Sequence, residues 1–236
     1  MKAKAMEFKK ARIEDIPALK SALSDYRGKV CDISAGNIVF WRDRYDTEYH
    51  CSDDGFAIRF GNMSNSVCYW CGTNRILIDK ILEREGGVAR FSCLTADELS
   101  FFRENYSCED VRHARNWDDY IYNSSDIALL AGKKYCGQRN HINKFNKLYN
   151  NFTFETIDKS NADKVKSFCY EYFHTLGRES GAVGEYEERY LYEQLDNIEK
   201  YGQLTLALLL DGQVIGFSIG EIVLLFSILR VMMCWR

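Results

Sequence analysis

The apolar and polar positions along this chain change period often enough to lay out its elements. "MEFKKAR" reads as a short strand, and "IEDIPALKSALSDYRG" sets Ile16, Leu19 and Leu23 at helical spacing. Glu14 and Asp15 favour the first turn of that helix, and Gly28 ends it. "SAGNIVFWRDRY" predicts a second helix capped by Ser34. "TEYHCSDDGFAIRFG" and "SVCYWCG" are short alternating runs around Asp-Gly and Gly-Asn turns, the pattern of an antiparallel meander. "RILIDKILEREGG" is a helix closed by glycines, and "VARFSCL" a strand. "TADELSFFRENY" opens on a capping box, with Thr95 as cap and Glu98 three residues on. "EDVRHARNWDDYIYNSSDIALL" is expected to run from a strand into a helix start at Ser-Ser-Asp.

After a basic helix the order begins again. "FTFETID" predicts a strand, and "NADKVKSFCYEYFHTLG" a helix with Val165, Phe168, Cys169 and Tyr172 on one side. "GEYEERYLYEQLDNIEKYG" is an acidic helix, and "LTLALLLDGQVIGFSIGEIV" a hairpin turning at Asp211-Gly212. Strand, helix, helix, hairpin occurs twice without a repeat of sequence. The pattern predicts two similar α/β halves, 1–125 and 151–236, joined by a connecting helix over 126–150.

Composition narrows the class. With 236 residues, 46% of them hydrophobic, the chain can bury a core, and 28% charged with 14% aromatic excludes a disordered composition. A formal net charge of −3 means that any polyanion site is local. The nine cysteines are scattered, and the N-terminus shows no apolar core of a signal peptide, which points to a reducing, cytoplasmic location. Cys68 and Cys71 form one CxxC with no second pair, so no metal is expected, and the two read as small apolar strand residues. The apolar region 204–235 is broken by Asp211, Glu221 and Arg230, so no spanning helix is expected.

The local exception to the acidic balance is "GKKYCGQRNHINKFNKLY". From Gly132 to Tyr149 there are five Lys or Arg, one His and no acid. On a helical wheel Lys133, Asn140, Lys144 and Lys147 share a narrow sector, with Tyr135, Ile142, Phe145 and Tyr149 roughly opposite. This predicts Lys133, Lys144 and Lys147 in solvent and Ile142 and Phe145 buried. The basic face is either a solvated linker surface or a seat for phosphate, with Lys133, Lys134, Arg139, Asn140, His141, Asn143, Lys144 and Lys147 as candidate contacts.

At "GKKYCGQRNHINKFNKLYNNFTFE" the sequence resembles a bacterial family of unknown function grouped with the C-terminal domain of phosphatidylglycerol lysyltransferases. "CDISAGNIVFWRDRYDTEY", "NWDDYIYNSSDIALLAGKKY" and "GQVIGFSIGE" extend the resemblance over essentially the whole chain. It implies an α/β (α+β) class with two tandem GNAT-like halves and mixed, largely antiparallel sheets. It also implies an acyl- or aminoacyl-transferase plan with no bound cofactor, the donor substrate being aminoacyl-tRNA or acyl-CoA. The basic helix would then meet tRNA or an anionic phospholipid. The alternative is a non-catalytic polyanion-binding module. No Gln/Arg-x-x-Gly-x-Gly/Ala loop of coenzyme-A users is present.

Past "GFSIGE" the family pattern departs. "LLFSILRVMMCWR" replaces the strand, His-Ile-Glu-Lys and helix start that the resemblance implies, and a shifted reading frame of Ser227–Arg230 permits His-Ile-Glu. The expectation is therefore a second half that is truncated and inactive, or a non-functional gene fragment. Hairpin 204–222 would lie at a sheet edge, with Ile215, Phe217 and Ile219 poorly covered and low order after Val223. Glu221, at the end of "VIGFSIGE", is the candidate base for accepting a proton from an acceptor amine, unless it is a solvated rim residue. His141 is the weaker candidate, and Trp41, Arg42 and Trp117 read as packing anchors.

Overall fold

The computed structural model describes residues 6–28, 30–63, 65–175, 182–223 and 226–233. The first half opens with β1 (Lys9–Lys10), α1 (Ile16–Ala22) and α2 (Ala35–Phe40), followed by β2 (Thr47–Ser52), β3 (Gly55–Met63) and β4 (Ser66–Trp70). These strands form one antiparallel sheet in the order β1-β2-β3-β4. Helices α3 (Arg75–Arg84) and α4 (Ala96–Asn105) follow. Ser34 Oγ accepts from Asn37 N at the start of α2, and both bonds of the Thr95–Glu98 capping box are present on α4.

The second half holds β5 (Phe152–Glu155), α7 (Ala162–Thr175), α8 (Ala182–Asp196), α9 (Ile198–Tyr201), β6 (Leu204–Leu210), β7 (Gln213–Val223) and β8 (Phe226–Met233). Its sheet runs β5-β6-β7-β8, again antiparallel throughout. Asp211 and Gly212 turn the β6–β7 hairpin at φ 52° and 75°. Positive φ at both central residues matches a turn whose twist suits its flanking strands, and Gly212 takes this conformation without the Cβ penalty. Between the halves lie α5 (Ser124–Leu129) and α6 (Cys136–Leu148). Two antiparallel sheets with helices against them make the α+β, GNAT-like class. Among the described residues no helix is long and apolar enough to cross a membrane.

The two cores exchange side chains. Phe40, from α2, is buried among Val165, Tyr190, Leu191 and Ile219 of the second half, and Tyr201, from α9, is buried among Leu19, Ile33 and Val39 of the first. Phe40 meets Tyr190 edge-on at 5.9 Å. Charge follows the same seam. Arg42 donates to both carboxylate oxygens of Glu193 at 2.7 Å, Arg189 pairs with Asp43 at 3.0 Å, and Lys20 Nζ donates to the carbonyls of Tyr201 and Gly202 at the end of α9.

Three segments depart from their sequence expectations. "VARFSCL" gives no strand, only a parallel bridge of Phe91 to Tyr69, because the edge of β4 pairs with it at one point and then diverges. "EDVRHARNWDDY" gives no strand either. It is exposed and carries one 3-10 turn, Arg115–Trp117, since no sheet edge lies alongside it. Hairpin 204–222 is not the edge of its sheet. The backbone of 226–233 pairs with β7 over eight residues, placing β7 inside. Phe217 and Ile219 are buried rather than uncovered, because α7 and α8 lie over that face with Val165, Cys169, Leu191 and Leu195. The remainder of the tail, 224–225 and 234–236, lies outside the described residues.

Candidate functional site

Two places carry the candidate chemistry. The first is the seam between the halves. The strand alternation that buries Phe217 and Ile219 also turns Glu221 inward, to 5% exposure. Its Oε2 accepts from the backbone N–H of Gly36 at 2.8 Å and from Gln203 Nε2 at 3.4 Å. Gln203 is held in turn by Gln194, whose Nε2 donates to Gln203 Oε1 at 2.7 Å. A side chain at position 36 would collide with both Glu221 Oε2 and Gln203 Nε2, so glycine is what lets the halves close here. Burial pushes the Glu221 carboxyl up from its ordinary range, while the Gly36 N–H, the Lys20 charge and Gln203 pull it down. The net direction is upward, as expected for a carboxylate removed from water with partial compensation. Glu221 is thus no solvated rim group but a buried carboxylate with raised proton affinity between the halves. Gly36 and Gln203 were not legible as its partners, because nothing local in the sequence links positions 185 and 18 residues apart.

The second place is α6 and the segment before it. Lys133, Lys144 and Lys147 are exposed, as the wheel predicts, and so are Asn140, His141 and Asn143. Among the described residues neither Lys144 nor Lys147 pairs with the acidic face of α8. Lys134 is engaged with Asp126 at 2.9 Å. Arg139 is turned inward, donating to the carbonyls of Leu130 and of Gly132, the latter at 2.7 Å. It therefore staples the α5–α6 turn and leaves the exposed basic set. The apolar side departs from expectation. Ile142 is 48% exposed, and Phe145 is half-buried against Tyr149 and Phe152. No residue of α6 is fully buried among the described residues, and Phe145 is the position at which its apolar side packs on aromatic neighbours. Trp117 is likewise an incomplete anchor, 42% exposed beside Tyr45. Trp41 and Arg42 do pack, into the seam.

The CxxC pair is not poised to react. Cys68 and Cys71 are buried, and burial raises both thiols, Cys71 to about 12. That keeps them protonated and unreactive at neutral pH. Among the described residues no group of three or more His, Cys, Asp or Glu could hold a metal ion.

A two-sheet α+β protein with a buried carboxylate at its seam and an exposed basic helix between its halves belongs to the GNAT-like structural class. The family model for the C-terminal domain of phosphatidylglycerol lysyltransferase matches residues 24–224, and the chain belongs to that family. It is also similar to a solved structure, a conserved protein of unknown function from Bacteroides thetaiotaomicron VPI-5482. The two share 25% identity with a TM-score of 0.76, over 92% of this chain and 76% of that one. No curated protein matches the chain.

Proposed function

We propose that this protein serves acyl transfer of the aminoacyl type, with an aminoacyl-tRNA as donor. Family membership over residues 24–224 is the observation that carries this reading. In the reaction an acceptor hydroxyl or amine attacks the aminoacyl ester carbonyl. The bond from that carbonyl to the ribose oxygen of the tRNA breaks, and a new ester or amide forms. The proton lost by the acceptor passes to a base, and the ribose oxygen takes one up. Glu221 is the proposed base, since burial raises its affinity for a proton. The exposed lysines Lys133, Lys144 and Lys147 are the proposed phosphate contacts, helped by Asn140, His141 and Asn143.

One observation favours a second reading, a non-catalytic binding module. The Glu221 carboxylate already accepts from Gly36 and Gln203, which commits it to joining the halves. A transfer assay separates the two. Lysine labelled on lysyl-tRNA should appear on phosphatidylglycerol vesicles or on an added amine, and Glu221→Gln should lower turnover more than tRNA binding. Binding without transfer supports the module, and unchanged turnover in Glu221→Gln removes that residue from the mechanism.

A further inference from the structure

The first half carries a cavity of about 700 Å³ to which neither the seam around Glu221 nor α6 contributes a residue. The end of α1 with the chain to Gly28, the turn from β4 into α3, and the first turn of α4 border it. Leu23, Phe56 and Trp70 supply apolar wall, and Tyr26 meets Trp70 edge-on at 5.0 Å.

Two polar groups in this wall are left incomplete. Trp70 is 4% exposed, and its Nε1–H has no hydrogen-bond partner among the described residues. A buried donor left unpaired is costly, and an indole N–H can be satisfied only by an acceptor. Glu98 is 8% exposed. Its Oε2 is taken by the backbone N–H of Thr95 at 2.7 Å, while Oε1 has no hydrogen bond among the described residues. Trp70 and Glu98 border one space at Gly72. A Cβ built there, where φ is 58°, would lie 3.6 Å from Glu98 Oε1 and 3.9 Å from Trp70 Cζ2, on the ring edge that carries Nε1. Ala96 and Asp97 also line the cavity, and their N–H groups belong to the first turn, which an α-helix leaves without intrahelical acceptors.

The charges limit what can enter. Asp25, Asp97 and Glu98 are the lining carboxylates, and Arg27, with a side chain 63% exposed, is the lining cation. An anionic group would satisfy Trp70 but meet a surplus of carboxylates. An ammonium would satisfy Glu98 but offers Trp70 no acceptor. A neutral carboxamide carries both functions on two atoms, an oxygen for the indole N–H and N–H donors for the carboxylate.

We propose that this cavity binds a neutral carboxamide carried on an apolar body. The amide oxygen accepts from Trp70 Nε1–H, the amide N–H donates to Glu98 Oε1, and the body lies along Leu23 and Phe56. The site shares no residue with the proposed transferase groups, so it stands whether or not the protein transfers acyl groups.

The test is titration of the full chain with benzamide, benzoate and benzylammonium, which present an amide, an anion and a cation on one ring. Calorimetry should show benzamide binding at least about ten-fold more tightly than either ion. In a nitrogen-15 correlation spectrum, benzamide should shift the indole N–H resonance of Trp70, identified by its loss in Trp70→Phe. Trp70→Phe keeps an aromatic ring and removes the donor, and should weaken benzamide about five-fold or more. Trp117→Phe, at a residue outside this cavity, should leave the affinity unchanged. Equal binding of the three ligands, an unmoved Trp70 resonance at millimolar benzamide, or an unchanged affinity in Trp70→Phe would overturn the assignment. Should Trp70→Phe fail to melt cooperatively, the resonance is assigned on the unsubstituted protein through its bonded neighbours, and its shift together with the three-ligand order decides.

Discussion

Glu221 is the residue on which the seam turns. Its folded-state affinity for a proton is raised, chiefly by burial, so folding favours the protonated form more than the unfolded chain does. The stability it contributes is therefore fully present below the ordinary glutamate range and is lost as pH rises through the raised folded value. Glu221→Gln should differ little from the unsubstituted protein in acid and should gain in melting temperature relative to it towards neutral pH. A difference that is flat with pH would remove burial as the dominant cause. Gly36→Ala places a methyl group against Glu221 Oε2 and Gln203 Nε2, and should cost about 1–3 kcal/mol by denaturant titration. The sequence marked Glu221 through its place at the end of an apolar strand. It could not mark Gly36 or Gln203, because contact across 185 and 18 positions is made by the fold and leaves no local pattern.

The elements were legible wherever a local rule decides them. The Thr95–Glu98 capping box forms as read, and Thr95→Ala should destabilise by about 1 kcal/mol in thermal unfolding, with α4 fraying first. The Asp211-Gly212 hairpin was visible in its dipeptide, and the wheel over 133–149 placed Lys133, Lys144 and Lys147 in solvent, although Lys133 lies in a 3-10 turn just before α6. What failed were statements about neighbours. "VARFSCL" has strand composition, but its partner edge diverges after one bridge. Ile142 has the spacing of a buried face, yet it is 48% exposed among the described residues. Amphipathicity identifies the face that would be covered and is silent on what covers it.

At the scale of the molecule, the halves are tied by an exchange of aromatic anchors and a bidentate ion pair. Phe40 fills the second core and Tyr201 the first. Arg42 is 16% exposed and Glu193 32%, so removing the arginine leaves a partly buried carboxylate unpaired. Arg42→Ala should cost about 1–3 kcal/mol, and the protein should still unfold in one transition, because the exchanged side chains couple the cores. Two separated transitions in the unsubstituted protein would contradict that coupling.

The central claim is that the exposed basic helix meets the phosphates of a tRNA donor. Its most direct test is the affinity of the protein for tRNA as a function of salt, compared with Lys133→Gln/Lys144→Gln/Lys147→Gln. Each phosphate contact contributes a slope of about −0.7 to −0.9 in log K against log salt, so the triple variant should bind more weakly with a slope shallower by about 2–3. A flat salt response of the unsubstituted protein, or an unchanged slope in the triple variant, would contradict the account.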